Sequence, residues 1–135
     1  FMTYGDGLSN ININKLLNFH KKSKKLATVT AVKPLPRFGK LSIKGDLIKN
    51  FKEKKISSNH ELINGGFFVL NKKIFDELDF TKSQMWEQEP MQKLTKNNQL
   101  SGYYHDNFWH PVDTMRDKKF LDDLWNSNKA PWKCW

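Results

Sequence analysis

The sequence predicts one domain of the α/β class, and three observations carry that prediction. An opening strand-like segment, a helix-patterned segment and a β-branched run follow one another in the order and lengths of a βαβ unit. Ile63-Asn64-Gly65-Gly66-Phe67-Phe68-Val69-Leu70 is the most apolar stretch and reads as a central strand. No internal repeat or low-complexity linker divides the 135 residues. A chain of that length buries roughly two thirds of its unfolded surface. Its composition, 38% hydrophobic and 13% aromatic, is that of a globular protein.

The first strand ends in Tyr4-Gly5-Asp6-Gly7, which delivers the Asp6 carboxylate into a glycine-flanked turn. In α/β sheets the carboxyl ends of strands are where ligands bind. A helix begins after Asn10 or Asn12, either of which can cap it, and Ile13, Leu16, Leu17 and His20 share its buried face. His20 is read as a helix-face histidine rather than a ligand. Residues 26–32 are β-branched and short, a strand covered on both faces and parallel to the first. Pro34-Leu35-Pro36 ends it. Residues 39–43 and 47–53 form a hairpin about Lys44-Gly45-Asp46. In the central strand, the Gly65-Gly66 pair lets a neighbour approach the backbone closely. A short helix over 73–78 follows, then one with Pro90 in its first turn, where a missing N–H costs nothing. Residues 100–104 and 108–109 read as strands. Thr114 and Asp117 have the spacing of a capping box and open a last helix with Phe120, Leu121, Leu124 and Trp125 on its inner face. Residues 130–135 form an aromatic tail.

The longest apolar run, Phe67 to Leu70, is far short of a membrane span, and no secretory signal pattern opens the chain. A single cysteine, Cys134, forms no internal disulfide and fits a reducing compartment. A soluble, cytoplasmic protein is the expectation. The net charge of +9 raises a nucleic-acid reading. Against it, only Arg37 and Arg116 are arginines, and arginine is the residue suited to bidentate reading of guanine. The lysines are scattered, apart from Lys21, Lys22, Lys24 and Lys25, which suit the last turn of a helix. A solvated basic surface is expected, and it is compatible with a phosphate ester as partner.

Nucleophile chemistry finds no support: Cys134 is one residue from the end, and no G-x-S-x-G elbow is present. His105 and His110 lack the partners zinc requires. The seven glycines make neither G-x-G-x-x-G nor a Walker loop. Carboxylates at strand ends, Asp6 and Asp113, would suit Mg²⁺, a hard ion that takes one or two carboxylates plus phosphate oxygens. Glu53-Lys54 could hold a sugar phosphate, ammonium to phosphate and carboxylate to hydroxyls. From spacing alone each has a plainer alternative: Asp6 as a turn residue, Asp113 as the residue leading into a helix, Lys54 as a surface lysine.

Tyr4-Gly5-Asp6-Gly7, Phe51-Lys52-Glu53-Lys54, the 63–70 strand, Trp86-Glu87-Gln88-Glu89-Pro90, Phe108-Trp109 with Asp113-Thr114, and Ala130-Pro131-Trp132-Lys133 occur in that order. Together they resemble the sugar nucleotidyltransferase family, in its branch acting on glucose 1-phosphate with CTP. The resemblance covers residues 1–135 but only the carboxyl-terminal, sugar-phosphate-binding half of that domain. It implies a partial Rossmann-like mixed sheet of the nucleotidyltransferase type, without the amino-terminal nucleotide-binding strands. It also implies transfer of a cytidylyl group from CTP to glucose 1-phosphate, giving pyrophosphate and CDP-glucose for the deoxysugars of surface polysaccharides. Asp6 and Asp113 would bind Mg²⁺ and, with Lys54 on the sugar phosphate, form the catalytic set. Glu53, Asn64 and the backbone N–H of Gly39 would meet the glucose hydroxyls. Where the family follows Glu-Lys with proline, Lys55 stands here. His110-Pro111-Val112 is an unusual approach to Asp113, because Pro111 fixes its own φ and restricts His110.

On this reading the chain alone is incomplete or inactive: either an amino-terminal half, as a separate chain, completes the site, or the chain is a split or truncated remnant. The alternatives are a relative using dTTP, UTP or ATP, and a non-catalytic basic binding module. The aromatic tail and last helix offer a homo-oligomer contact as a further use, against a simple fold-back of the tail.

Overall fold

The computed structural model describes residues 1–35, 40–52, 62–79 and 85–133. Among them, four strands build the main sheet: β1 (Met2–Thr3), β3 (Ala27–Val32), β6 (Ile63–Leu70) and β7 (Leu100–Tyr104), in spatial order β1-β6-β3-β7. β6 is antiparallel to both β1 and β3, while β3 and β7 run parallel, so the sheet is mixed. β1 and β3 therefore point the same way, as the βαβ reading requires, but β6 is inserted between them. The fold is mixed α/β, as expected.

Helix α1 (Ile13–Ser23) starts at Asn12, whose side chain accepts the Lys15 N–H at 2.9 Å. It lies on one face of the sheet, where Leu16 packs with Ile11, Val69, Leu17, Phe67 and Tyr103. His20 is buried there and bonded to Thr28 Oγ1 at 2.8 Å. Ile13, expected on the buried face, is 43% exposed, because it is the helix's first residue and lies beyond the edge of the packed surface. The short α2 (Ile74–Glu77) and α3 (Glu89–Lys96) cover the opposite face, joining Ile74, Leu78 and Leu94 to Ala27, Leu70 and Leu100. Burying each such leucine or isoleucine is worth about 1.5–3 kcal/mol. β3 is thus covered on both faces.

Two small sheets complete the described structure. β4 (Lys40–Lys44) and β5 (Leu47–Lys52) form the expected hairpin. Gly45 leads its two-residue turn at φ +60°, the conformation a II′ turn asks of its first central residue. β2 (Gly7–Ser9), which the sequence reading did not anticipate, pairs antiparallel with β8 (Trp109–Pro111). The last helix, α4 (Met115–Asn126), begins with the predicted capping box: Thr114 and Asp117 exchange side-chain and backbone hydrogen bonds. Its inner face is narrower than predicted. Leu121 is buried, whereas Phe120 and Trp125 are each 45% exposed. Phe120 lies over the His110 ring at 5.0 Å, and Trp125 receives Lys133 Nζ at 4.9 Å from its centroid. Phe120 thus packs on the β2–β8 ribbon and Trp125 on the tail, neither of them on the main sheet. In the tail, Trp132 folds back and stacks on Phe108, ring centroids 5.3 Å apart.

Candidate active site

The site grows from a distortion of β6. Between the pairs Val29↔Phe68 and Ala31↔Asn64, one residue of β3 faces three of β6, so Gly65 and Gly66 bulge. Both positions need glycine. A Cβ on Gly65 would lie 2.9 Å from Val32 Cγ1, and one on Gly66, at φ +77°, would lie 2.9 Å from the Tyr4 ring. The close approach read from the glycine pair is therefore that of Val32 and Tyr4.

Three groups hold the bulge. Asn64 Oδ1 accepts the Gly66 N–H at 2.9 Å. The Tyr4 backbone N–H donates to the Gly66 carbonyl at 2.9 Å. The Trp109 indole N–H donates to the Gly65 carbonyl at 2.8 Å, which ties the β2–β8 ribbon to the main sheet.

That ribbon carries the two aspartates. The ladder extends one pair beyond β2, Val112 N–H donating to the Asp6 carbonyl at 2.7 Å. Asp6 and Asp113 consequently leave neighbouring ends of paired strands. Pro111 fits because it faces Gly7 at a non-hydrogen-bonded position, between the bonded pairs 6/112 and 8/110. Its missing N–H would have pointed away from β2. The unusual His110-Pro111-Val112 approach thus still brings Asp113 beside Asp6. Thr114, the cap of α4, then fixes the backbone directly after Asp113.

Tyr4, Asp6, Asn64, Trp109 and Asp113 line one cavity of about 400 Å³, with Pro34, Leu35 and Ile63 as apolar wall. Asp6 and Asp113 are exposed at it. Among the described residues, no cluster of three or more His, Cys, Asp or Glu side chains is placed to hold a metal. The cavity thus holds two carboxylates, Asp6 and Asp113, whose oxygens are hard donors. Of the other expected site residues, Asn64 lines the cavity, while Gly39, Glu53 and Lys54 lie outside the described residues.

Tyr4 and Trp109 enter the sequence reading only as motif members. The Tyr4 hydroxyl accepts from Asn64 Nδ2 at 2.9 Å and interacts with the Glu87 carboxylate. Burial, reinforced by Glu87, pushes its phenol up to about 12, so the hydroxyl stays neutral. The same hydrogen bond holds the Glu87 carboxyl below its ordinary value. The signal available in the sequence for Tyr4 was its place beside Asp6 in the Tyr4-Gly5-Asp6-Gly7 motif. No sequence signal points to the partnership of Trp109 with Gly65, 44 positions away.

A family model described as "Nucleotidyl transferase" matches residues 1–127. The chain is 44% identical over 133 residues to the glucose-1-phosphate cytidylyltransferase of Salmonella typhimurium, covering 98% of this chain and 51% of that protein. To the "Probable glucose-1-phosphate cytidylyltransferase" of Bacillus subtilis it is 40% identical over 134 residues, covering 99% and 52%. The chain spans about half the length of these curated relatives. A solved structure described as a "Putative Glucose-1-Phosphate Thymidylyltransferase" from Bacillus anthracis shares the fold at TM-score 0.62 and 17% identity, covering 89% of this chain and 51% of that one.

Proposed function

The chain belongs to the nucleotidyl transferase family, and from that premise we propose that it is the carboxyl-terminal, sugar-phosphate-binding part of a glucose-1-phosphate cytidylyltransferase. The observation that carries this reading is 44% identity to a protein of that name across 98% of the chain. The reaction transfers a cytidylyl group. A phosphate oxygen of glucose 1-phosphate attacks the α-phosphorus of CTP in line, and pyrophosphate leaves with the electron pair of the broken P–O bond. The nucleophile needs no activation by a protein base, so positioning and charge neutralisation are the main tasks.

The residues around the cavity suit those tasks. Asp6 and Asp113 offer hard carboxylate oxygens from paired strand ends and would hold Mg²⁺. When bound, the ion would supply charge neutralisation to the phosphates. Asn64 has one N–H and one carbonyl lone pair uncommitted to the bulge or to Tyr4, a donor and an acceptor for sugar hydroxyls. Lys54 would pair with the sugar phosphate, and Glu53 and the Gly39 N–H with hydroxyls. Nucleotide binding falls to the half of the relatives that this chain does not span.

The test is a CDP-glucose assay from CTP and glucose 1-phosphate, with and without a supplied amino-terminal half. Turnover is expected only on reassembly, and Asp6→Asn or Asp113→Asn should lower it by roughly 100-fold or more. Competition among CTP, dTTP, UTP and ATP decides the base. No turnover after verified reassembly would overturn the enzyme reading, and full turnover by this chain alone would overturn the need for a second half.

A further inference from the structure

The Asn64 side chain is oriented by its two partners without ambiguity. A backbone N–H can only donate, so the group facing Gly66 N at 2.9 Å is the carbonyl Oδ1. The amide Nδ2 therefore faces the Tyr4 hydroxyl, 2.9 Å away, and that oxygen accepts. The hydroxyl's own proton is left pointing elsewhere, and the group it meets is the Glu87 carboxylate, outside the cavity wall. Tyr4 has little freedom. Its ring lies over the Gly66 backbone and packs on Phe68 with centroids 5.4 Å apart, while its backbone N–H is bonded to the Gly66 carbonyl.

We propose that Tyr4 is a positioning residue for Asn64: its hydroxyl takes one amide N–H, so that Asn64 presents its second N–H and one carbonyl lone pair to the cavity in a fixed orientation. Without the Tyr4 hydroxyl, Asn64 would be held through Oδ1 alone and its amide could turn about that single bond. The ligand, on the reading above, is the hydroxyl face of a hexose 1-phosphate, and the inference rests on that reading for the identity of the ligand only.

The test pairs two readouts on this chain. The first is proton exchange of the Asn64 side-chain amide by NMR, with no ligand present. Tyr4→Phe keeps the ring and is expected to speed exchange of the bonded amide proton about tenfold, while Glu87→Gln, which retains an acceptor, leaves it within about twofold. The second is a calorimetric cycle for glucose 1-phosphate using Tyr4→Phe, Asn64→Ala and the double variant. Tyr4→Phe should weaken binding about fivefold, and the double variant should bind no worse than Asn64→Ala, because Tyr4 acts through Asn64. Unchanged exchange in Tyr4→Phe, or additive losses in the cycle, would overturn the proposal. Absence of glucose 1-phosphate binding by the unaltered chain would instead count against the proposed function, leaving the exchange readout to decide the role of Tyr4.

Discussion

Gly66 shows how one residue can set the shape of a site. Its φ of +77° is a conformation that L side chains rarely adopt, and the space a Cβ would need is filled by the Tyr4 ring. Gly66→Ala therefore combines backbone strain of about 1–2 kcal/mol with displacement of a ring. A loss of about 2–4 kcal/mol is expected, measured as a fall in the urea midpoint followed by circular dichroism. Gly102 is the control. Its φ lies outside the left-handed region and a methyl group there would meet nothing within 4 Å, so Gly102→Ala should be neutral or slightly stabilising. At this scale the sequence was informative where chemistry is local. An Asn-Gly-Gly run inside an apolar strand signals a bulge with a close neighbour, and Asp6 is flanked by the glycines of a turn. The identity of the neighbours was not legible, because Tyr4 and Trp109 reach the bulge across 62 and 44 positions.

The elements that were legible are those whose boundaries are set by their own residues. α1 starts where Asn12 can cap it, α3 where Pro90 can sit, and α4 where Thr114 and Asp117 close a capping box. Thr114→Ala should cost about 1 kcal/mol and lower the melting temperature by about 4 °C. β2 was not legible, since its three residues carry no pattern and exist as a strand only through pairing with β8. The width of the α4 inner face escaped the sequence for a related reason. Periodicity gives the direction of an apolar face, whereas its buried width depends on what lies opposite. α1 also carries a pH dependence. Burial lowers the pKa of His20, which is bonded to Thr28, itself bonded to Ser101 at 2.7 Å. The unfolded state then takes up this proton more readily than the folded one, so stability is flat above the unfolded value near 6.5. It falls as pH drops through that value, until the folded group also titrates. Denaturation midpoints at pH 7.5 and pH 5 should differ more for the native chain than for His20→Gln, which cannot titrate.

For the molecule as a whole, the direction of β1 and β3 followed from the βαβ spacing, but the insertion of β6 between them did not, since strand order depends on distant segments. The same long-range assembly makes the cavity. β1 supplies the approach to Asp6, β8 the approach to Asp113, and the Trp109–Gly65 bond joins the ribbon that carries them to the main sheet. Against this built cavity stands the net charge of +9, a property of the entire surface that would serve an anionic polymer equally well. The two uses differ in their salt dependence. A duplex bound by scattered lysines releases a counterion for each phosphate neutralised, and a protein making 6–10 such contacts loses about 10³–10⁵ in affinity between 50 and 200 mM salt. A hexose 1-phosphate, on the proposed reading, would engage few charges and present many hydroxyls, so its affinity should change less than about tenfold over that range. Titrating both ligands at the two salt concentrations separates the readings. Duplex binding is expected to collapse while glucose 1-phosphate binding persists, and duplex affinity that stays submicromolar at 200 mM salt would displace the phosphate-ester reading in favour of a basic binding module.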